Sequence, residues 1–241
     1  MNKRYIVWFS YGAASAAAWL AALKLYDNVI AVNCDTSANE HPDNARFKAE
    51  MEALTGKKVI TIRSKKYETI EQVSDDTKYM AGINGARCTV ELKKIPRFDF
   101  QKPDDIHIFG YPSDEAERYE RFKTNNPDIL TANPLIDLGL TKNDCLAIIK
   151  FNRIDLPIMY NLGYKNNNCI GCYKATSAAY WNKIRVEFPL VFDTRCKDSR
   201  KLGVRLTRYK GKRIFLDELP ADYMLGREIT ENLSCGPQCG A

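Results

Sequence analysis

The first half of the chain alternates short β-rich runs with helical stretches, and this constrains the fold more than any other feature of the sequence. Tyr5–Phe9 reads as a buried strand, and Val29–Asn33, Val59–Arg63 and Asp105–Phe109 as three further strands. An Ala-rich helix from Ser15 to Tyr26 follows the first run, and an amphipathic one from Pro42 to Leu54, stopped by Gly56, follows the second. This alternation predicts an α/β domain with a Rossmann-like parallel sheet and helices on both faces. Between the third and fourth runs lies a long polar connection holding Gly82, Gly85 and Cys88. It is longer than a structural link requires, which marks it as a candidate binding segment.

Past Pro134 the pattern changes. Thr141 and Asp144 form a capping-box signature opening a helix through Phe151, and a second helical pattern runs from Ser177 to Phe188. Val204–Tyr209 and Arg213–Leu216, joined by Lys210-Gly211-Lys212, read as a hairpin. The expected organisation is a nucleotide-binding domain over residues 1–133 and a small cysteine-containing C-terminal subdomain over 134–241.

Composition excludes intrinsic disorder, since 45% of the 241 residues are hydrophobic and 11% aromatic. Met1–Arg4 followed by the small apolar run to Leu25 has the outline of a signal peptide, but Ser10, Tyr11, Gly12 and Ser15 interrupt it. No later segment is long or apolar enough to span a membrane. A cytoplasmic protein is therefore expected, in the host cytoplasm if phage-encoded. Its eight cysteines then read as thiols, metal ligands or catalysts rather than a disulfide framework.

The turn Ser10-Tyr11-Gly12-Ala13-Ala14-Ser15 places small residues where a buried strand ends and a helix begins. Such a turn offers free amides, hydroxyls and the positive end of a helix dipole to an anion. No lysine follows it, so it is not a Walker A loop.

This stretch resembles the Ser-Gly-Gly-x-Asp-Ser loop of the ATP pyrophosphatase superfamily. The chain as a whole resembles that superfamily's 3′-phosphoadenylylsulfate (PAPS) reductase branch, in particular its short bacteriophage members. Four further segments follow in the family's order: Cys34–Asp43, Arg87–Pro96 with its Cys-Thr-x-x-Leu-Lys core, Gly110–Arg118 with its Glu and Arg, and Tyr160–Gly163 leading into Cys169-Ile-Gly-Cys172.

The resemblance implies nucleotide binding by Ser10, Gly12, Ala13, Ser15, Asn33, Asp35 and Thr36, with Lys93 and Arg118 as catalytic cations. The activity it implies is cleavage of ATP, with magnesium, between its α and β phosphates to adenylylate an acceptor, for sulfur transfer or nucleic-acid modification. Thiol-dependent reduction of a sulfonucleotide is the alternative, and a nucleic-acid-binding protein with a degenerate nucleotide site a third. Two positions depart from the family. Tyr11 stands where Gly is usual, and Ala14 where many members carry an Asp that helps hold magnesium, leaving Asp35 or Glu40 to supply that oxygen.

Cys169-x-x-Cys172, then 62 residues, then Cys235-x-x-x-Cys239 has spacing suited to one four-thiolate centre, zinc or iron–sulfur. Two unrelated pairs are the plainer reading. Ser234-Cys235-Gly236 also faintly resembles the reductases' mobile Cys-Gly tail, and Cys88 beside basic residues is a candidate redox thiol or substitute ligand. Cys34, Cys145 and Cys196 read as packing residues.

From Arg195 to Arg213 nine Lys or Arg face one acid, Asp198. This strip is a candidate nucleic-acid surface, with an ordinary solvated face as the plainer reading. A homodimer is also among the assemblies considered.

Overall fold

The computed structural model describes residues 3–82 and 85–230, together with Leu233 and Cys235. Its strands are β1 (Tyr5–Trp8), β2 (Val29–Cys34), β3 (Ile60–Ile62), a small antiparallel pair β4 (Ala81–Gly82) and β5 (Gly85–Ala86), then β6 (Ile106–Ile108) and β7 (Thr131–Ala132). A second antiparallel pair, β8 (Thr207–Tyr209) and β9 (Lys212–Ile214), lies near the C-terminus. The helices are α1 (Ala13–Leu25), α2 (Asn44–Thr55), α3 (Ile70–Thr77), α4 (Arg87–Thr89), α5 (Ile95–Phe100), α6 (Ala116–Asn125), α7 (Pro134–Asp137), α8 (Lys142–Phe151), α9 (Ile158–Asn161), α10 (Ala178–Glu187) and α11 (Pro189–Lys201).

The main sheet has the order β3-β2-β1-β6-β7, and every neighbouring pair in it is parallel. The chain builds outward from β1 through β2 to β3, then returns to lay β6 against the other edge of β1. In such sheets the crevice beyond the carboxyl ends of the two diverging strands, here β1 and β6, is where ligands bind.

Strand β1 is buried on both faces, as its continuous apolar run requires. Ile6 and Trp8 pack with Val32, Phe109 and Phe122 on one side. Val7 and Phe9 pack with Phe47 of α2 and Ala16, Ala17 and Trp19 of α1 on the other. Helix α1 is buried nearly all round, from Ala13 through Ala22, which is why it is written in alanine. It is clamped by Leu135, Cys145 and Ile149 of α7 and α8. The Thr141–Asp144 capping box opens α8 as the sequence predicts.

A further core joins α3 to α10, α11 and the loop between α9 and α10 through Ile70, Val73, Tyr173, Trp181 and Phe192. The long connection between β3 and β6 is thus folded rather than loose. It holds α3 with its Thr69–Gln72 capping box, the β4–β5 pair, α4, a π-helical turn over Val90–Lys94 and α5. The two sets of residues therefore interleave across residue 133: 134–156 pack on α1, and 67–92 share the C-terminal core.

Candidate functional site

The crevice between β1 and β6 is an open, shallow cleft with a volume of about 80 Å³. Ser10, Gly12 and Ser15 form one wall and Gly110 and Pro112 the other, with Trp8 at its base. Trp8 and Ser10 also line a smaller adjoining hollow with Asn33, Cys34, Glu40 and Lys93.

The turn after β1 is locked by its own side chains. Ser15 Oγ donates to the Gly12 carbonyl at 2.9 Å and accepts from the Ser10 amide at 3.1 Å. Tyr11 adopts φ +57°, a left-handed conformation that favours glycine. Its ring does not fill the cleft. It packs edge-on against Phe9 in the core, and its carbonyl accepts from Asn167 Nδ2 at 2.8 Å. Helix α1 starts at Ala13 with Gly12 as N-cap, no side-chain cap and no acidic residue in its first turn. The turn thus keeps the positive end of the helix dipole beside the cleft.

Gly110 brings the loop after β6 hard against this turn. A Cβ there would lie 2.6 Å from the Ser15 amide nitrogen, so the close approach requires glycine.

Three cations border the two hollows. Arg118 stacks on Tyr111, its carbon 4.9 Å from the ring centroid, and pairs with Glu115. Lys142, at the start of α8, donates to Asn166 Oδ1 at 2.6 Å and lines the same cleft as Arg118. Burial draws its pKa below the ordinary lysine value. Sequence reasoning missed Lys142, since a lysine opening a capped helix carries no signal of its own. Lys93, only 7% exposed, projects from the π-helical turn into the smaller hollow. Burial opposes its charge, but the Cys235 and Cys169 thiols and Glu40 hold its proton, so its pKa rises.

The remaining nucleotide-binding candidates frame the site rather than open into it. Asn33 Nδ2 donates to the Phe9 carbonyl at 2.8 Å and lines the smaller hollow. Asp35 accepts from the Ser37 amide and hydroxyl and pairs with Arg63 at 2.9 Å. Thr36 donates to Glu40, whose other oxygen accepts from Asn44 Nδ2 at 2.9 Å. Asp35 and Thr36 line neither hollow, and the carboxylates expected to replace an Asp at Ala14 are engaged with neighbouring side chains.

Cys235 lines the cleft. Lys93 Nζ donates to its carbonyl at 3.2 Å, and Thr89 Oγ1 lies 3.7 Å from its sulfur. Side-chain amides of Asn166 and Asn168 hold the Leu233 carbonyl just before it, at 2.8 and 2.6 Å. Burial disfavours the Cys235 thiolate, but the charges of Lys93 and Lys174 and the Thr89 contact outweigh it, so its pKa falls below the ordinary thiol value. The neighbouring thiols move the other way. Burial, followed by the charge on Cys235, pushes Cys88 up to about 12 and Cys172 up to about 11.

Of the four cysteines expected to form one thiolate centre, Cys169, Cys172 and Cys235 are described and Cys239 is not. Among the described residues no group of three or more His, Cys, Asp or Glu is arranged to hold a metal ion, and Cys239 lies outside them. Cys169 and Cys172 are buried, Cys172 in the C-terminal core, where its amide donates to the Tyr180 hydroxyl at 3.0 Å. The thiol donors suit zinc or iron–sulfur.

The basic strip is also less exposed as charge than the sequence suggests. Arg195 is 1% exposed and pairs with Glu71 and Asp198. Arg200 pairs with Asp217 and Glu218, and Lys201 with Asp75. Arg213 donates to the Arg205 and Leu206 carbonyls. Most of these acids lie outside the strip, so counting within it could not reveal them. Among the described residues no helix is long and apolar enough to cross a membrane.

No family model and no curated protein matches the sequence. Among solved structures, the chain is similar to a phosphoadenylyl-sulfate (PAPS) reductase from Candida auris, determined as a phosphate complex. The TM-score is 0.50 at 16% identity, over 70% of this chain and 81% of that one. Together with the five-stranded parallel sheet and its flanking helices, this establishes a Rossmann-like α/β fold of the kind seen in that reductase.

Proposed function

We propose that the chain binds an adenine sulfonucleotide in the β1–β6 crevice and reduces it with the Cys235 thiolate. The observation that carries this reading is the position of Cys235, in the lining of an anion-suited cleft with Lys93 and Thr89 against it. The likeness to a PAPS reductase fold supports the substrate class.

In this reading the Ala14 and Ser15 amides in the first turn of α1, with Ser10, Arg118 and Lys142, hold the phosphate and sulfo oxygens. The Cys235 thiolate attacks the sulfo sulfur. The bond from sulfur to the bridging oxygen breaks, and its electron pair leaves on the nucleotide phosphate. The nearby cations stabilise that developing charge. Cys235 is left carrying the sulfo group. A thiol of an added dithiol then attacks Cys235 Sγ and releases sulfite, and the second dithiol sulfur displaces Cys235. Two thiols become a disulfide as the substrate sulfur gains two electrons.

Cleavage of ATP between its α and β phosphates is the lesser reading, because Asp35, Glu40 and Glu115 are each paired with a neighbouring side chain. The deciding assay supplies PAPS and a dithiol in one reaction, and ATP, magnesium and an acceptor in another. Sulfite release that disappears in Cys235→Ser supports reduction. Pyrophosphate release without sulfite supports adenylyl transfer instead.

A further inference from the structure

Tyr160 carries an unused hydrogen-bond donor inside the cleft. It stands on α9, whose first amide, Ile158, donates to Asp43 Oδ2 at 2.9 Å and so fixes the helix against the start of α2. The Ala13 amide, the first of α1, donates to Tyr160 Oη at 3.1 Å. A Cβ placed on Gly12 would lie 3.4 Å from it, so the hydroxyl stands directly against the helix N-cap.

The Ala13 amide thus occupies the acceptor side of this phenol, leaving its own proton for another direction. Tyr160 lines the cleft, and no acceptor for that proton is found among the described residues. Burial pushes the phenol up to about 12, so the proton is retained at neutral pH.

We infer that the Tyr160 hydroxyl donates a hydrogen bond to the tetrahedral oxyanion, phosphate or sulfo, bound at the start of α1. The hydroxyl relays the helix terminus: it receives the Ala13 amide and presents an O–H to the ligand in its place. This rests on the anion-site reading of the crevice and assigns Tyr160 a contact within it. A competing role gives the opposite sign. If the phenol only caps the helix and obstructs the cradle, removing its oxygen frees the Ala13 amide for the anion and strengthens binding.

The test is titration of the full-length chain with inorganic phosphate and with adenosine 5′-monophosphate, for wild type and Tyr160→Phe. The expected result is a loss of affinity of about tenfold for both ligands, the usual size for a hydrogen bond to a charged acceptor. A second variant, carrying 3-fluorotyrosine at position 160, keeps the ring and its packing while making the phenol a better donor and a poorer acceptor. It is expected to bind phosphate more tightly than wild type. Equal or tighter binding by Tyr160→Phe, or weaker binding by the fluorinated chain, overturns the donor role while leaving the anion site standing. If wild type binds neither ligand, the anion-site reading fails along with it.

Discussion

Lys93 Nζ reaches the carbonyl of Cys235 at 3.2 Å, joining a buried ammonium on a π-helical turn to a thiol 142 positions later in the chain. The contact fixes the Cys235 backbone and sets a positive charge beside a sulfur whose burial would otherwise keep it protonated. The reactivity of Cys235 is therefore tied to the charge at position 93.

Alkylation rates follow from that tie. In the wild-type chain the rate with iodoacetamide should rise through a pH range below that of an ordinary thiol, because Lys93 lowers the Cys235 pKa. Lys93→Gln should move the profile to higher pH and slow alkylation at neutral pH by about tenfold, the effect of one unit in pKa. Lys93→Arg should restore most of the rate. Peptide mapping of the labelled protein measures this site by site.

Gly110→Ala is expected to destabilise the chain. The added methyl would sit 2.6 Å from the Ser15 amide nitrogen and 2.8 Å from its Cα, both backbone atoms of a buried helix start. Relief requires the β6 loop to shift away from α1, at a cost of about 1–3 kcal/mol. Urea unfolding gives the difference, and phosphate titration should show weaker binding as the cleft walls separate.

Acidification below neutrality should weaken the fold through His107. Trp8 Nε1 donates to His107 Nδ1 at 2.9 Å, both side chains are buried, and burial followed by the Arg97 charge lowers the imidazole pKa to about 4. Between the ordinary histidine value and about 4, the unfolded chain binds a proton that the folded chain does not, so stability falls as pH drops through that window and this contribution levels off below it. The full loss amounts to about 3 kcal/mol. His107→Gln, which keeps an acceptor for Trp8, should flatten this part of the stability profile measured by urea unfolding.

Arg195 should behave as a structural residue rather than a nucleic-acid contact. Its guanidinium lies over the Tyr173 ring at 4.9 Å, donates to the Gly171 carbonyl at 2.9 Å and pairs with Glu71 of α3. Arg195→Ala strands Glu71 and opens the core, with an expected cost of about 3–5 kcal/mol. Thermal unfolding tests this, and Lys197→Ala, a variant within the same strip, should leave stability nearly unchanged.

The sheet was legible where apolar burial writes the pattern. Tyr5–Phe9 and Val29–Asn33 are buried on both faces, and continuous runs of that kind have few other uses. The turn from Ser10 to Ser15 was readable because small residues between a strand and an alanine-rich helix carry a recognisable spacing. β7 was not readable, since Thr131–Ala132 contributes little beyond backbone pairing with His107 and Ile108. α11 was hidden by its polar composition behind Pro189. The candidate site was legible as individual residues but not as an assembly. Lys142, the hydroxyl of Tyr160 and the contact between Thr89 and Cys235 arise from segments far apart in the chain, and no local pattern encodes their meeting. Spacing alone likewise does not reveal that Cys169 and Cys172 are buried by the surrounding fold.

The most direct test of Cys235 as nucleophile is the intact mass of the reduced, full-length chain after mixing with PAPS in the absence of any reductant. The account predicts that the chain gains one sulfo group, mapped to Cys235, with stoichiometric release of the nucleoside bisphosphate and no such adduct in Cys235→Ser. Nucleotide release with no sulfo group on the protein, or the same adduct forming in Cys235→Ser, would contradict it.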